Sequence, residues 1–143
     1  RPQGSGLVVA ECLAAWLARS MANHPDDRRL LGEYGERLAT RYLQDCGLTI
    51  LERNWRCPQG EIDVVARDID CLVFCEVKTR RSVRFGDPVE AITPVKAARL
   101  RRLAVAWLRS HDAHAERIRI DVVGIVRPAS GPAVLRHLVG VDG

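Results

Sequence analysis

Asp63, Glu76 and Lys78 are three residues whose types and spacing could do chemistry together. Two β-rich runs, Glu61–Arg67 and Cys71–Thr79, flank Ile69-Asp70, which reads as the two-residue loop of a hairpin. In that register Asp68 pairs with Cys71, and Asp63 falls directly opposite Glu76. Side chains so placed are about 5 Å apart. Two carboxylates there repel and weaken the hairpin, and a divalent cation between them reverses the sign of that term. Side chains alternate along a strand, so Lys78 shares the face of Glu76. A slip of one residue would turn Asp63 to the other face. Glu76 and Lys78 also end an apolar run containing Leu72, Val73, Phe74 and Val77. Such a charged end is either a sheet edge emerging into water or a site, and spacing alone leaves both readings open.

The basic residues add a second signal. Of 22 basic side chains, only Lys78 and Lys96 are lysines. Against a background that favours arginine, a lysine marks a place for a compact ammonium that can lose its proton, or stands there by chance. Between 78 and 102, Lys78, Arg80, Arg81, Arg84, Lys96, Arg99, Arg101 and Arg102 are opposed only by Asp87 and Glu90. A basic block beside a more acidic body suggests a phosphate-facing surface; a solvated loop and helix face fits it as well. The formal net charge of +4 and pI of about 9.0 suit an anionic partner.

Composition bounds the rest. The chain has 143 residues, 47% hydrophobic and 28% charged, the profile of one globular domain that folds without disulfide or metal. It excludes collagen, a coiled-coil rod and wholesale disorder. No apolar run reaches the roughly 18 residues of a membrane span, so no membrane partner is expected. Cys12, Cys46, Cys57, Cys71 and Cys75 share no C-x-x-C spacing, and His111 and His114 have no cysteine close by in sequence. Structural zinc is therefore not expected, and reduced thiols fit a cytoplasmic protein.

The elements that must position the three residues are legible in outline. Residues 1–25 read as an N-terminal extension. A short helix over Leu7–Ala18 would place Val9, Leu13, Trp16 and Leu17 on one face. Met21, the sole methionine, could be the natural start, or the segment could be a genuine accessory helix. Regular pattern begins at residue 26. Pro25-Asp26-Asp27 opens a helix that carries Leu31, Tyr34, Gly35, Leu38, Ala39, Tyr42, Leu43 and Cys46 at helical spacing and stops at Gly47. Strands follow over Thr49–Cys57, Glu61–Arg67 and Cys71–Thr79. Thr93-Pro94 opens a second helix, which runs to about Ser110. Arg117–Val126 and Ala133–Val139 are the last strands. The order α-β-β-β-α-β-β predicts an α/β domain over 26–143, with a mixed central sheet flanked by helices.

Several runs together resemble a family. Gly35-Glu36-Arg37-Leu38-Ala39, Asn54-Trp55-Arg56, Gly60-Glu61-Ile62-Asp63 and Phe74-Cys75-Glu76-Val77-Lys78-Thr79-Arg80 look like the YraN-like family of bacterial proteins. That family is similar to PD-(D/E)XK nucleases of the Holliday-junction resolvase type. The likeness spans about Leu31 to Val126. It implies a restriction-endonuclease-like core and a metal-dependent endonuclease hydrolysing phosphodiester bonds in DNA, including branched or structured DNA. The alternative is a non-catalytic nucleic-acid-binding module on the same fold. A junction substrate would require paired sites, hence a homodimer.

The resemblance also implies roles. Glu36, Asp63, Glu76 and Lys78 would be the catalytic set. Asp63, Glu76 and the backbone carbonyl of Val77 would hold Mg²⁺ or Mn²⁺, ions suited to hard oxygen ligands. Lys78 would position or help deprotonate the attacking water, or stabilise charge on the phosphate. Glu36 would be a further helix-borne acid, which its place at the edge of the apolar arc permits; its bland reading is a surface glutamate. Glu61 would support the metal acids or lie exposed at a strand end. Arg37, Arg80, Arg81, Arg84 and Lys96 are the candidate nucleic-acid contacts, with Lys96 at a helix start whose amides and dipole also favour phosphate. No aromatic row accompanies them, so the expected contact is the sugar-phosphate backbone rather than stacked bases. Trp55 and Trp107 read as core.

Overall fold

The computed structural model describes residues 6–10, 27–84 and 86–142, the first of these stretches as backbone. Six strands form one sheet: β1 (Gly6–Ala10), β2 (Thr49–Cys57), β3 (Gly60–Asp68), β4 (Cys71–Arg80), β5 (Arg117–Val126) and β6 (Ala133–Leu138). Their spatial order is β1-β6-β5-β4-β3-β2. Only β4 and β5 pair in parallel. A parallel pair needs a long crossover, supplied here by a 3₁₀ turn over Pro88–Ala91 and helix α2 (Pro94–Ser110). Helix α1 (Asp27–Asp45) precedes the first hairpin. The α/β class and the order from α1 to β6 are as the sequence predicts.

Each helix forms because its apolar stripe has a sheet face to cover. α1 buries Tyr34, Leu38, Ala39 and Leu43 against Val64, Ala66, Val73, Cys75, Val123 and Ile125. α2 buries Leu100, Leu103, Ala104 and Trp107 against Ile62, Val65, Leu72, Phe74 and Ile120. Residues 71–75 of β4 are buried on both sides, which explains their unbroken apolar run. Thr93 caps α2, its Oγ1 accepting from the Lys96 N–H at 3.2 Å, with Pro94 in the first turn. Trp107 lies in the core, its Nε1 donating to Glu52 Oε1 at 2.9 Å; Trp55 packs against the same cluster. Among the described residues Cys46, Cys57, Cys71 and Cys75 are free thiols, and no helix is long and apolar enough to cross a membrane.

The N-terminal expectation needs correction. Leu7–Ala10, taken as the start of a helix, lie instead in β1, where Leu7 pairs with Arg136 and Ala10 with Ala133. Without β1, β6 would present an open edge, and Val8-Val9 suit a strand. The remainder of that segment, with Leu13, Trp16, Leu17 and Met21, lies outside the described residues.

α1 approaches the sheet closely at Gly35. A Cβ there would stand 1.7 Å from Thr79 Oγ1 and 2.9 Å from Thr79 Cβ. Rotating the threonine cannot relieve both contacts. Alanine otherwise favours a helix over glycine by about 1 kcal/mol, so the sign of a substitution is diagnostic. Gly35→Ala should destabilise the protein by about 1–3 kcal/mol through overpacking. Urea denaturation would read this as a lower midpoint, and Thr79→Ala in the same chain should recover part of the loss.

Candidate metal and phosphate cleft

The β3–β4 ladder follows the expected register from Asp68↔Cys71 as far as Val64↔Cys75. At the next position it changes. Ile62 belongs to the α2-side core and Val64 to the α1-side core, although residues two apart on a regular strand share a face. The strand therefore turns over at Asp63. The Asp63 carboxylate accepts the Val77 N–H at 2.8 Å, spanning from one strand to the other. Arg80 turns its carbonyl to β5, accepting from the Arg127 N–H at 2.8 Å. Backbone groups alternate in direction along a strand, so the Val77 carbonyl faces the opposite side, toward Asp63.

A cleft of about 340 Å³ opens at this break. Glu61, Asp63, Glu76, Val77 and Lys78 line it from the sheet, and Lys96, Arg99, Leu100 and Leu103 line it from α2. Glu36 reaches the same point from α1. One carboxylate oxygen from each of Glu36, Glu61 and Asp63 lies within 4.8 Å of the other two. Glu76 Oε2 stands 3.5 Å from Lys78 Nζ. Asn54, in the left-handed region at φ +55° within β2, sets the end of its amide 3.1 Å from both Glu36 carboxylate oxygens, and assigning the nitrogen to that end, as two facing acceptors require, makes it the donor to both.

The electrostatics of this cluster are unbalanced. Burial pushes Asp63 up to about 7; the Val77 N–H opposes the rise, and Glu76, Glu36 and Glu61 add to it. Glu36 is also raised, first by burial and then by Glu61, with the Asn54 amide and Arg53 opposing. Asp121 in β5 shows the opposite balance. It too is buried, which alone would raise it, but bonds from His137 and Arg119 and the Gly140 N–H hold it below the usual carboxylate range.

Comparison with known proteins covers this whole region. The model of "Uncharacterised protein family UPF0102" matches residues 35–125, from the glycine beside Glu36 almost to the end of β5. The chain belongs to the UPF0102 family. A UPF0102 protein of Beutenbergia cavernae is 60% identical over 111 residues, covering 78% of this chain and 94% of that protein. Another, from Kineococcus radiotolerans, is 56% identical over 120 residues, covering 83% and 98%.

In this UPF0102 chain the expected site residues separate into two groups. Glu36, Glu61, Asp63, Glu76, Val77, Lys78 and Lys96 meet at the break in the sheet. Glu61, expected in support, stands among the clustered carboxylates and also pairs with Arg56 at 3.1 Å. The backbone N–H of Lys96 is committed to Thr93, so its side chain rather than its amide faces the cleft. Arg37, Arg80, Arg81 and Arg84 do not line it. Arg81 bonds Asp27 at the start of α1 through both Nε and Nη2. Arg84 is exposed beyond the strand. Asn54 and Arg99 had no assigned role. Asn54 stands in one of the runs that carry the resemblance, and it is also a polar, strand-averse side chain inside a strand, of a type that tolerates the left-handed region.

A proton held up to about pH 7 has a definite linkage sign. Folded Asp63 binds it where the unfolded side chain, with a pKa of about 3.9, has lost it. Its contribution to stability is therefore present at low pH and lost as pH rises through about 7. In chelator, Asp63→Asn should melt above wild type at pH 8, and the gap should narrow toward pH 5. Thermal melts across that range test this; a gap independent of pH would contradict it.

Proposed function

We propose that this protein is a Mg²⁺- or Mn²⁺-dependent endonuclease that hydrolyses phosphodiester bonds in DNA, branched or structured DNA included. The observation that carries the reading is the convergence of Glu61, Asp63 and Glu76 on one cleft, with Glu36 within 4.8 Å of Glu61 and Asp63 and with Lys78 beside Glu76. Repulsion among these acids is relieved by a divalent cation, and all are hard oxygen donors suited to Mg²⁺ or Mn²⁺. The resemblance to the PD-(D/E)XK nucleases, with a restriction-endonuclease-like core, supports the same reading.

Asp63, tied to β4 through the Val77 N–H, would be the central ligand of that cation. Glu36 and Glu61 complete the closely spaced oxygens, and Glu76 with the Val77 carbonyl flanks them. A divalent ion bound there would lower the pKa of its water and take up charge on the phosphate. Lys78, held near Glu76, would orient the attacking water or neutralise charge on the phosphate oxygens. Asn54 acts through Glu36: its amide fixes the carboxylate that α1 presents. Lys96 faces the nucleic-acid backbone from the opposite wall.

The test is a panel of labelled duplex, forked, junction and single-stranded DNA with Mg²⁺, Mn²⁺ or chelator. Cutting should require the metal. Glu76→Ala and Lys78→Ala should each lower the rate by about 10²-fold or more while keeping the fold. Mn²⁺ binding measured by calorimetry should vanish in Asp63→Ala. A folded wild type that cuts no substrate with either metal would leave the non-catalytic nucleic-acid-binding module as the better reading.

A further inference from the structure

We infer that Arg99, with Lys96 one turn earlier on α2, forms a subsite for a phosphodiester next to the one attacked, an inference that rests on the nuclease reading. Both side chains line the cleft from α2, facing the acids of β3 and β4. Residues three apart lie on one helix face, so the two cations act along one line. Among the described residues Arg99 makes no ion pair or hydrogen bond, although Glu61, Asp63 and Glu76 line the same cleft.

Gly60 explains where the guanidinium sits. A Cβ at position 60 would lie 2.7 Å from Arg99 Nη2 and 3.4 Å from Leu103 Cδ1. Gly60 also has φ +148°, a conformation that side-chain-bearing residues rarely adopt. The start of β3 thus has a bare spot against which the head group lies. A guanidinium is a planar fork that pairs with phosphate oxygens in bidentate fashion. A nucleic-acid strand entering beside Glu61, Asp63 and Glu76 needs cations on the facing wall, and Arg99 supplies one that no acid among the described residues neutralises.

Binding of labelled single-stranded and duplex DNA by anisotropy, in chelator and across a salt series, tests this without requiring cutting. Arg99→Ala should weaken binding about tenfold. It should also reduce the salt slope by about 0.7 for a single strand or 0.9 for a duplex. Arg99→Lys should restore the slope but only part of the affinity, because it keeps the charge and loses the fork. Arg109→Ala, at the exposed far end of α2, is the control for diffuse charge. Unchanged binding in Arg99→Ala, an equal loss in Arg109→Ala, or no DNA binding by wild type would overturn the subsite. If wild type binds without cutting and Arg99→Ala is selectively weakened, the subsite stands and the nuclease reading falls. If wild type cuts with metal and Arg99→Ala binds and cuts equally well, the reverse holds.

Discussion

Asp63 is held by one backbone N–H and faced by three other acids, and the surrounding architecture serves to keep it there. A strand pair could avoid this cost by continuing its ladder and turning the acid to water. Instead β3 turns over at Asp63, and the carboxylate spans to β4. Asp121, one strand beyond β4, shows that the same fold can bury an aspartate in balance, with Arg119, His137 and Gly140 as donors. The difference between the two aspartates is therefore local. Where one buried acid is satisfied and another is left with like charges, the second is the stronger candidate for a function that supplies the missing cation.

Such a cluster persists only if the elements that carry it cannot relax apart. Glu36 arrives on α1, and α1 is held down by its apolar stripe and by the close approach of Gly35 to Thr79. Asn54 comes from β2 and needs a left-handed backbone to aim its amide at Glu36. α2 closes the other wall, with Leu100 and Leu103 continuous with the core beneath. Two apolar layers on opposite faces thus hold charged groups against one another across a gap in the sheet. The hydrophobic burial of both helices offsets the electrostatic strain at the gap.

The sequence shows some of this and conceals the rest for identifiable reasons. The Asp68↔Cys71 register follows from a two-residue loop, even though Ile69 adopts the left-handed region at φ +57°, where glycine or asparagine would be the usual choice. Both helices announce themselves by spacing, and α2 also by Thr93-Pro94. β1 does not, because a five-residue strand is specified by its partner β6 rather than by any period of its own. Glu61 is legible too: it lies two positions before Asp63, the spacing by which alternation puts two side chains on one face, and it joins the cluster. Arg81 sits in a basic run that suggests phosphate, yet its partner Asp27 is 54 positions away. Asn54 with Glu36, and Arg99 above Gly60, are likewise tertiary pairings without a sequence-local signature.

The lysines connect the compositional signal to the geometry. In a chain whose other basic residues are all arginine, Lys78 and Lys96 line the same small cleft from opposite walls. Chance placement on a solvated surface would not favour that meeting. A guanidinium beside Glu76 would bring a rigid fork and a permanent charge among carboxylates, competing with any metal for their oxygens. An ammonium is smaller, turns freely and can release a proton. Arg99 in the same cleft obeys the converse rule: it stands where Gly60 has cleared space for a planar head group and where no carboxylate among the described residues captures it. The choice between the two cations follows the room and the neighbours each position offers.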